Sequence, residues 1–198
     1  SESNHENQEE IDTILEQTEK LDFLIQSLVK LSRMESGFIA VHPEKVGIRQ
    51  LLEDIRQQFA AKAREKNITL SVCDTDLYVI CDLKWTAEAL GNIVDNAIKY
   101  TPKGSHIDVF ILKKEEEVLI RVQDDGPGIS DEDKEHIFER YYQKANTLAD
   151  SRRSLGLGLA LCRSIINAHG HEIVVKDNVP HGTIFEFTLS SKEVVLDA

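Results

Sequence analysis

The chain has 198 residues, 41% of them apolar, enough for one well-buried core plus an appendage of about 30 residues. Its 23 basic and 35 acidic side chains leave a formal charge of −12, which argues against nucleic acid and against anionic membrane surfaces as partners. No apolar run reaches the ~20 residues of a membrane span and no signal-peptide pattern opens the chain, so this stretch is expected to be cytoplasmic and free of membrane contact.

From His5 to Glu35 there is neither Pro nor Gly, and Ile14, Leu21 and Leu28 recur every seven residues beside Leu24 and Leu31. That spacing predicts a helix whose apolar stripe is too wide for a lone element and suits a four-helix bundle. Met34, Glu35, Ser36 and Gly37 end it with a glycine stop, and FIAVHPEKVGI runs extended. The expected division is residues 1–36 as this helix, 37–191 as the main domain and 192–198 as a C-terminal tail.

A second helix is predicted from Ile48 to Lys66, with Ile48, Leu51, Leu52, Ile55 and Phe59 at helical spacing. Two short β-type runs follow, Ile68 to Asp74 and Leu77 to Asp82, and Asp82 suits the N-cap of a third helix. In that helix Glu88, Asn92 and Asn96 stand four residues apart, with Lys99 and Tyr100 one turn on, while Leu90, Ile93, Val94 and Ala97 form a core stripe opposite. A carboxamide oxygen suits a hard cation such as Mg²⁺, a lysine reaches phosphate, and a tyrosine packs against a base. Taken alone, the same residues also fit a solvated helix face.

After Thr101, Pro102 and Gly104 the pattern of HIDVFILKKEEEVLIRVQDDG is a hairpin, with Lys113 to Glu117 as its turn. It delivers Asp124, Asp125, Gly126, Pro127, Gly128 and Ile129: a carboxylate at the sheet rim and glycines that admit close approach of a ligand, or simply a tight strand-to-helix connection. Ser130 and Asp133 form a capping pair for a helix over DEDKEHIFERYYQ. A polar stretch, Lys144 to Ser154, precedes Gly156 and Gly158, which open a helix through Leu159, Leu161, Cys162, Ile165 and Ile166. Such a start exposes backbone N–H groups suited to phosphate, although a packing glycine pair reads the same way. Two strand-like runs, EIVVKD and GTIFEFTL, close the chain around a Pro-Gly turn. Cys73, Cys81 and Cys162, an odd number without CxxC spacing, read as reduced packing residues, and the seven scattered histidines do not suggest a metal centre.

Together these clusters resemble the ATP-binding domain of sensor histidine kinases, within the gyrase, Hsp90, histidine kinase and MutL superfamily. NIVDNAIKYT resembles the asparagine box, DDGPGI the first glycine box, IFERYY the phenylalanine box, LGLGLAL the second glycine box and GTIFEF the last glycine motif. The resemblance implies an α/β two-layer sandwich: a mixed sheet with helices on one face, preceded by the long helix as a remnant of the dimerisation domain. It implies that Asn96, supported by Asn92, binds Mg²⁺, that Lys99 touches phosphate and that Tyr100 lies beside the base. Asp124 would accept the adenine amino hydrogens, with Gly126, Gly128 and Ile129 shaping that wall. Gly156, Leu157, Gly158 and Leu159 would wrap the phosphates, Thr183 would lie near the base, and Gln143 to Leu155, with Arg152 and Arg153, would form a lid. Arg140 is a candidate for the γ-phosphate. The implied protein takes ATP and Mg²⁺, works as a homodimer through its first helix, belongs to a membrane sensor and phosphorylates a histidine for relay to a response regulator receiver domain.

Two consequences follow from the residue types. If Asp124 accepts from an exocyclic amine, guanine would set a carbonyl against it, at a cost of about 1–3 kcal/mol, so ATP is preferred to GTP. Superfamily members that hydrolyse ATP unaided carry Glu at the position of Asn92, and a carboxamide cannot act as a general base. That argues against a self-contained ATPase clamp, and the intact pocket set argues against a nucleotide-free regulatory module. The chain departs from the family pattern at Ser154, where the second glycine box usually has Gly, and at its front. His5 is followed by Glu6, Asn7, Gln8, Glu9 and Glu10, without the Pro and apolar residues of a phosphoacceptor box, so no catalytic histidine is assigned.

Overall fold

The computed structural model describes residues 2–36, 40–143 and 156–191. Its centre is the predicted hairpin, β4 (His106–Lys113) and β5 (Glu117–Asp124), closed where the Lys114 amide donates to Glu117 O at 2.8 Å. β7 (Thr183–Ser190) pairs antiparallel with β5 along its whole length, Asp124 facing Thr183 and Glu117 facing Ser190. β2 (Thr69–Val72) adds in parallel to β4, and β6 (Ile173–Asp177) and β3 (Tyr78–Cys81) share the other side of β7. β1 (Glu44–Gly47) pairs antiparallel with β3 at the far edge, which completes a seven-stranded mixed sheet.

Residue parity decides which face is covered. Ile107 and Val109 on β4, Val118, Ile120 and Val122 on β5, and Phe185, Phe187 and Leu189 on β7 are all buried, whereas the alternate Phe110 and Leu112 are exposed. Against the buried face lie α2 (Ile48–Glu65), α3 (Leu83–Tyr100) and α5 (Gly158–Ala168). The expected stripe of α3, Leu90, Ile93, Val94 and Ala97, is inside, and Asp82 caps the helix as anticipated, its carboxylate accepting from the Trp85 amide at 3.2 Å. Cys81 and Cys162 are buried thiols without a disulfide, Cys73 a half-buried one.

Two elements differ from their sequence patterns. The helix expected over Asp131 to Gln143 is α4 (Asp131–His136) alone; Ser130 caps it by accepting from the Asp133 amide at 3.1 Å. The chain then turns, because Tyr141 takes a left-handed conformation (φ 64°) and donates its amide to Gly156 O at 2.9 Å, tying this segment to the start of α5. The first helix, α1 (Glu2–Glu35), does not offer its whole stripe to a bundle. Its last turns join the core: Leu31 is 1% exposed, Met34 is buried, and Lys30 Nζ donates to both Glu88 carboxylate oxygens at 2.9 and 3.0 Å. Ile11, Ile14, Leu15, Leu21 and Ile25, further up, remain at least half exposed.

Candidate functional site

Asp124 continues the inward series Val118, Ile120, Val122, so parity aims its carboxylate at the helix layer as the strand runs out. It is 6% exposed. Its Oδ1 accepts from the Gly126 amide at 2.8 Å and from the Thr183 amide at 3.2 Å, while no protein donor among the described residues bonds Oδ2. Burial pushes the carboxyl above the usual aspartate range, and the two amides pull it back only in part. The corner is held from behind by Asn178, whose side chain donates to Asp124 O at 2.9 Å and whose amide donates to Gly182 O.

Three glycines are packed into this corner. A β-carbon on Gly126 would stand 2.6 Å from Asp124 Oδ1, one on Gly182 (φ 114°) would overlap the Asp124 carbonyl, and Gly128 (φ 77°) lies against Gly182. The same Gly126 position is 3.6 Å from Thr101 Oγ1, a fully buried hydroxyl at the end of α3 with no hydrogen-bond partner among the described residues. The Asp124 corner is therefore seated at the C-terminal end of α3.

The glycine-rich turn meets α3 from the other direction. Gly156 (φ 64°) leaves no room for a side chain, since a β-carbon would lie 2.6 Å from Tyr142 O. Gly158, the first residue of α5, faces Asn92: a β-carbon there would be 3.1 Å from Asn92 Oδ1. Asn92 Nδ2 donates to Glu88 O at 3.0 Å, which fixes the amide orientation and leaves its oxygen on the side of Gly158. The Leu157 side chain is core, so only its backbone faces the opening; Leu159 and Ile129 are partly buried against the same core.

Between these two contacts, Asn96 is half-buried, and Lys99 Nζ is buried without a hydrogen-bond partner among the described residues, 4.9 Å from the centre of the Tyr100 ring. A buried ammonium lacking an acceptor is costly unless an anion arrives. Tyr100 is exposed on one side. α3 thus carries, from N to C, an amide oxygen facing a glycine-rich helix start, an unsatisfied cation, an aromatic face and a buried carboxylate corner. Such a row suits an elongated ligand with a polyanion at one end and a flat amine-bearing ring at the other.

Arg140 lies in the turns after α4, where it has a partner of its own. Arg152, Arg153 and Ser154, and all but Gln143 of the expected lid, fall outside the described residues. Gly182 and Asn178 were not foreseen as site residues. Gly182 precedes Thr183 in a motif that was noticed, whereas Asn178 has no local signal because its role depends on the β5–β7 register.

The model of the histidine kinase-, DNA gyrase B- and HSP90-like ATPases matches residues 81–193, more than half of the chain. The chain belongs to this family. Its relatives within the ATPase family include the sensor protein KdpD of Clostridium acetobutylicum, 32% identical over 182 residues, and the sensor histidine kinase WalK of Bacillus subtilis, 33% identical over 180 residues. These matches cover 92% and 89% of this chain but 20% and 30% of those proteins, so the chain spans under a third of either. The crystal structure of histidine kinase ThkA in complex with response regulator protein TrrA superposes with a TM-score of 0.70 at 26% identity, over 88% of this chain and 49% of that one. The chain is an ATP-binding catalytic domain of the sensor histidine kinase kind, with the mixed sheet and single helix layer expected from its sequence.

Proposed function

We propose that this chain holds Mg-ATP along α3 and presents its γ-phosphoryl to a histidine outside the stretch described, for relay to an aspartate of a response regulator. The observation that carries the reading is the placement of a buried cation at Lys99 on α3, without a hydrogen-bond partner among the described residues, beside the Asp124 corner of β5 seated at the end of that helix. Asp124 Oδ2 accepts the adenine amine, Tyr100 lies along the base, Gly128 and Ile129 wall it, and Thr183 supports the carboxylate through its amide. Lys99 and the backbone N–H groups of Leu157, Gly158 and Leu159 take the phosphates, with Gly156 setting the turn.

The residues present fit a divalent cation. Asn92 has an oriented acceptor oxygen facing Gly158, and the half-buried Asn96 follows one turn later. When bound there, Mg²⁺ would supply positive charge that offsets that of the phosphates. In the transfer an imidazole nitrogen attacks the γ-phosphorus, the bond to the β–γ bridging oxygen breaks, and ADP leaves. This chain contributes position and charge stabilisation, and it supplies no carboxylate at residue 92 to activate water.

We further assign residues 1–36 to the dimerisation region, 37–191 to the catalytic domain and 192–198 to a tail. The exposed apolar residues of α1 above Leu28 support a homodimer in the intact protein. The receiver partner is supported by the ThkA–TrrA complex, and no described helix is long and apolar enough to cross a membrane. A membrane-sensor parent and a lid with Arg153 over the phosphates, joined by Arg140, complete the proposal. Calorimetric titration with non-hydrolysable ATP and GTP analogues, with and without Mg²⁺, tests it: Mg²⁺-sensitive binding of the ATP analogue alone is expected, and no binding at millimolar concentration would overturn it.

A further inference from the structure

We infer that Lys66, the residue just past the end of α2 and outside every glycine and asparagine motif, is a positioning residue for the phosphate contact of Lys99. The inference rests on the nucleotide reading above. α3 ends abruptly: Thr101 turns extended (φ −73°, ψ 133°), its amide returns to Ala97 O, and the left-handed glycine that follows, Gly104 (φ 83°), donates its amide to Asn67 O and not to a carbonyl of α3. Lys66 Nζ fills that gap, donating to Ile98 O at 2.8 Å and to Lys99 O. An ammonium at this point also meets the negative end of the helix dipole.

The whole end of α2 is shaped as a backstop for this turn. Asn67 takes a left-handed conformation (φ 55°), its carbonyl accepts from the Gly104 amide at 2.8 Å, and the Thr69 amide donates to Ser105 O at 3.0 Å. One turn earlier, Lys62 pairs with Asp95. The backbone of the last turn of α3, at residues 98 and 99, and of the turn that follows it, at residues 104 and 105, is therefore held by the segment that begins at Lys66. Lys99 belongs to the last turn of α3, and among the described residues its ammonium has no hydrogen bond that would place it. Its position over Tyr100 follows from the backbone that Lys66 holds.

The test is a double-mutant cycle on this chain, read by calorimetry with ADP and with adenosine. Lys66→Met is expected to weaken ADP by about tenfold and adenosine by less than threefold, the loss of a charge-assisted bond expressed through the phosphates. Lys66→Arg should restore most of the affinity. In a Lys99→Met background, Lys66→Met should change ADP affinity by less than about twofold, since the two substitutions act on one contact. Should Lys66→Met fail to fold, Lys66→Gln, which keeps a donor and drops the charge, takes its place in the cycle. Additive losses, or equal losses for ADP and adenosine, would reduce Lys66 to a structural cap and overturn the inference. Wild-type binding with unchanged affinity in the variant would overturn it alone; absence of wild-type binding would overturn the nucleotide reading and this inference together.

Discussion

Gly126 stands so close to Asp124 that a β-carbon on it would lie 2.6 Å from the carboxylate oxygen its own amide bonds at 2.8 Å. The glycine is required by approach, and the two residues act as one unit. Gly126→Ala is expected to displace the Asp124 carboxylate, lower stability by about 1–3 kcal/mol and weaken an ATP analogue by at least about tenfold. Urea unfolding and calorimetry on the same variant check both figures.

Burial raises the Asp124 carboxyl above its value in an unfolded chain. The folded, nucleotide-free protein therefore gains stability as pH falls through that raised value, and loses it as pH rises through it, because the charged form is the one burial opposes. Ligand affinity runs the other way: a protonated carboxylic acid offers a poorer acceptor to an amine, so affinity should fall at a pH above the ordinary aspartate midpoint of about 3.9. Asp124→Asn keeps an oxygen for the two amides and removes the buried charge. Its ligand-free melting temperature at pH 7 should equal or exceed the wild type's, by differential scanning calorimetry.

Gly158→Ala tests the other end of α3. The added carbon meets Asn92 Oδ1 at 3.1 Å, a contact that a small swing of the carboxamide relieves. The fold should survive, with a melting temperature within a few degrees. Binding of the ATP analogue with Mg²⁺ should weaken about tenfold, more than binding of adenosine, because the displaced group faces the phosphate end.

Much of this site was legible in the sequence because its parts are local. The stripe of α3, the Asp82 and Ser130 caps and the alternation that aims Asp124 inward each depend on residues a few positions apart. What escaped depends on long-range packing. Lys66 and Asn178 act on backbone 32 and 54 positions away, and no spacing rule connects them. The short α4 escaped because Tyr141 is tied to Gly156, fifteen positions on in the chain, overriding a helical pattern. The spacing along α1 presents one continuous apolar stripe, yet Leu31 and Met34 belong to the core while Ile14 and Leu21 do not.

That division of α1 predicts two very different costs for similar truncations. Leu31→Ala removes a side chain that is 1% exposed and should destabilise the chain by about 2–5 kcal/mol in urea unfolding. Ile14→Ala, at 64% exposure, should cost under about 0.5 kcal/mol in the monomer and report instead on self-association, measured by sedimentation.

The most direct test is a parallel calorimetric titration of the wild type and Asp124→Asn with a non-hydrolysable ATP analogue in the presence of Mg²⁺. Binding by the wild type that is weakened about 10- to 100-fold by the substitution, the worth of one hydrogen bond to a charged group, is the predicted result. Equal affinities in the two proteins would contradict the assignment of Asp124 as the group that recognises the base.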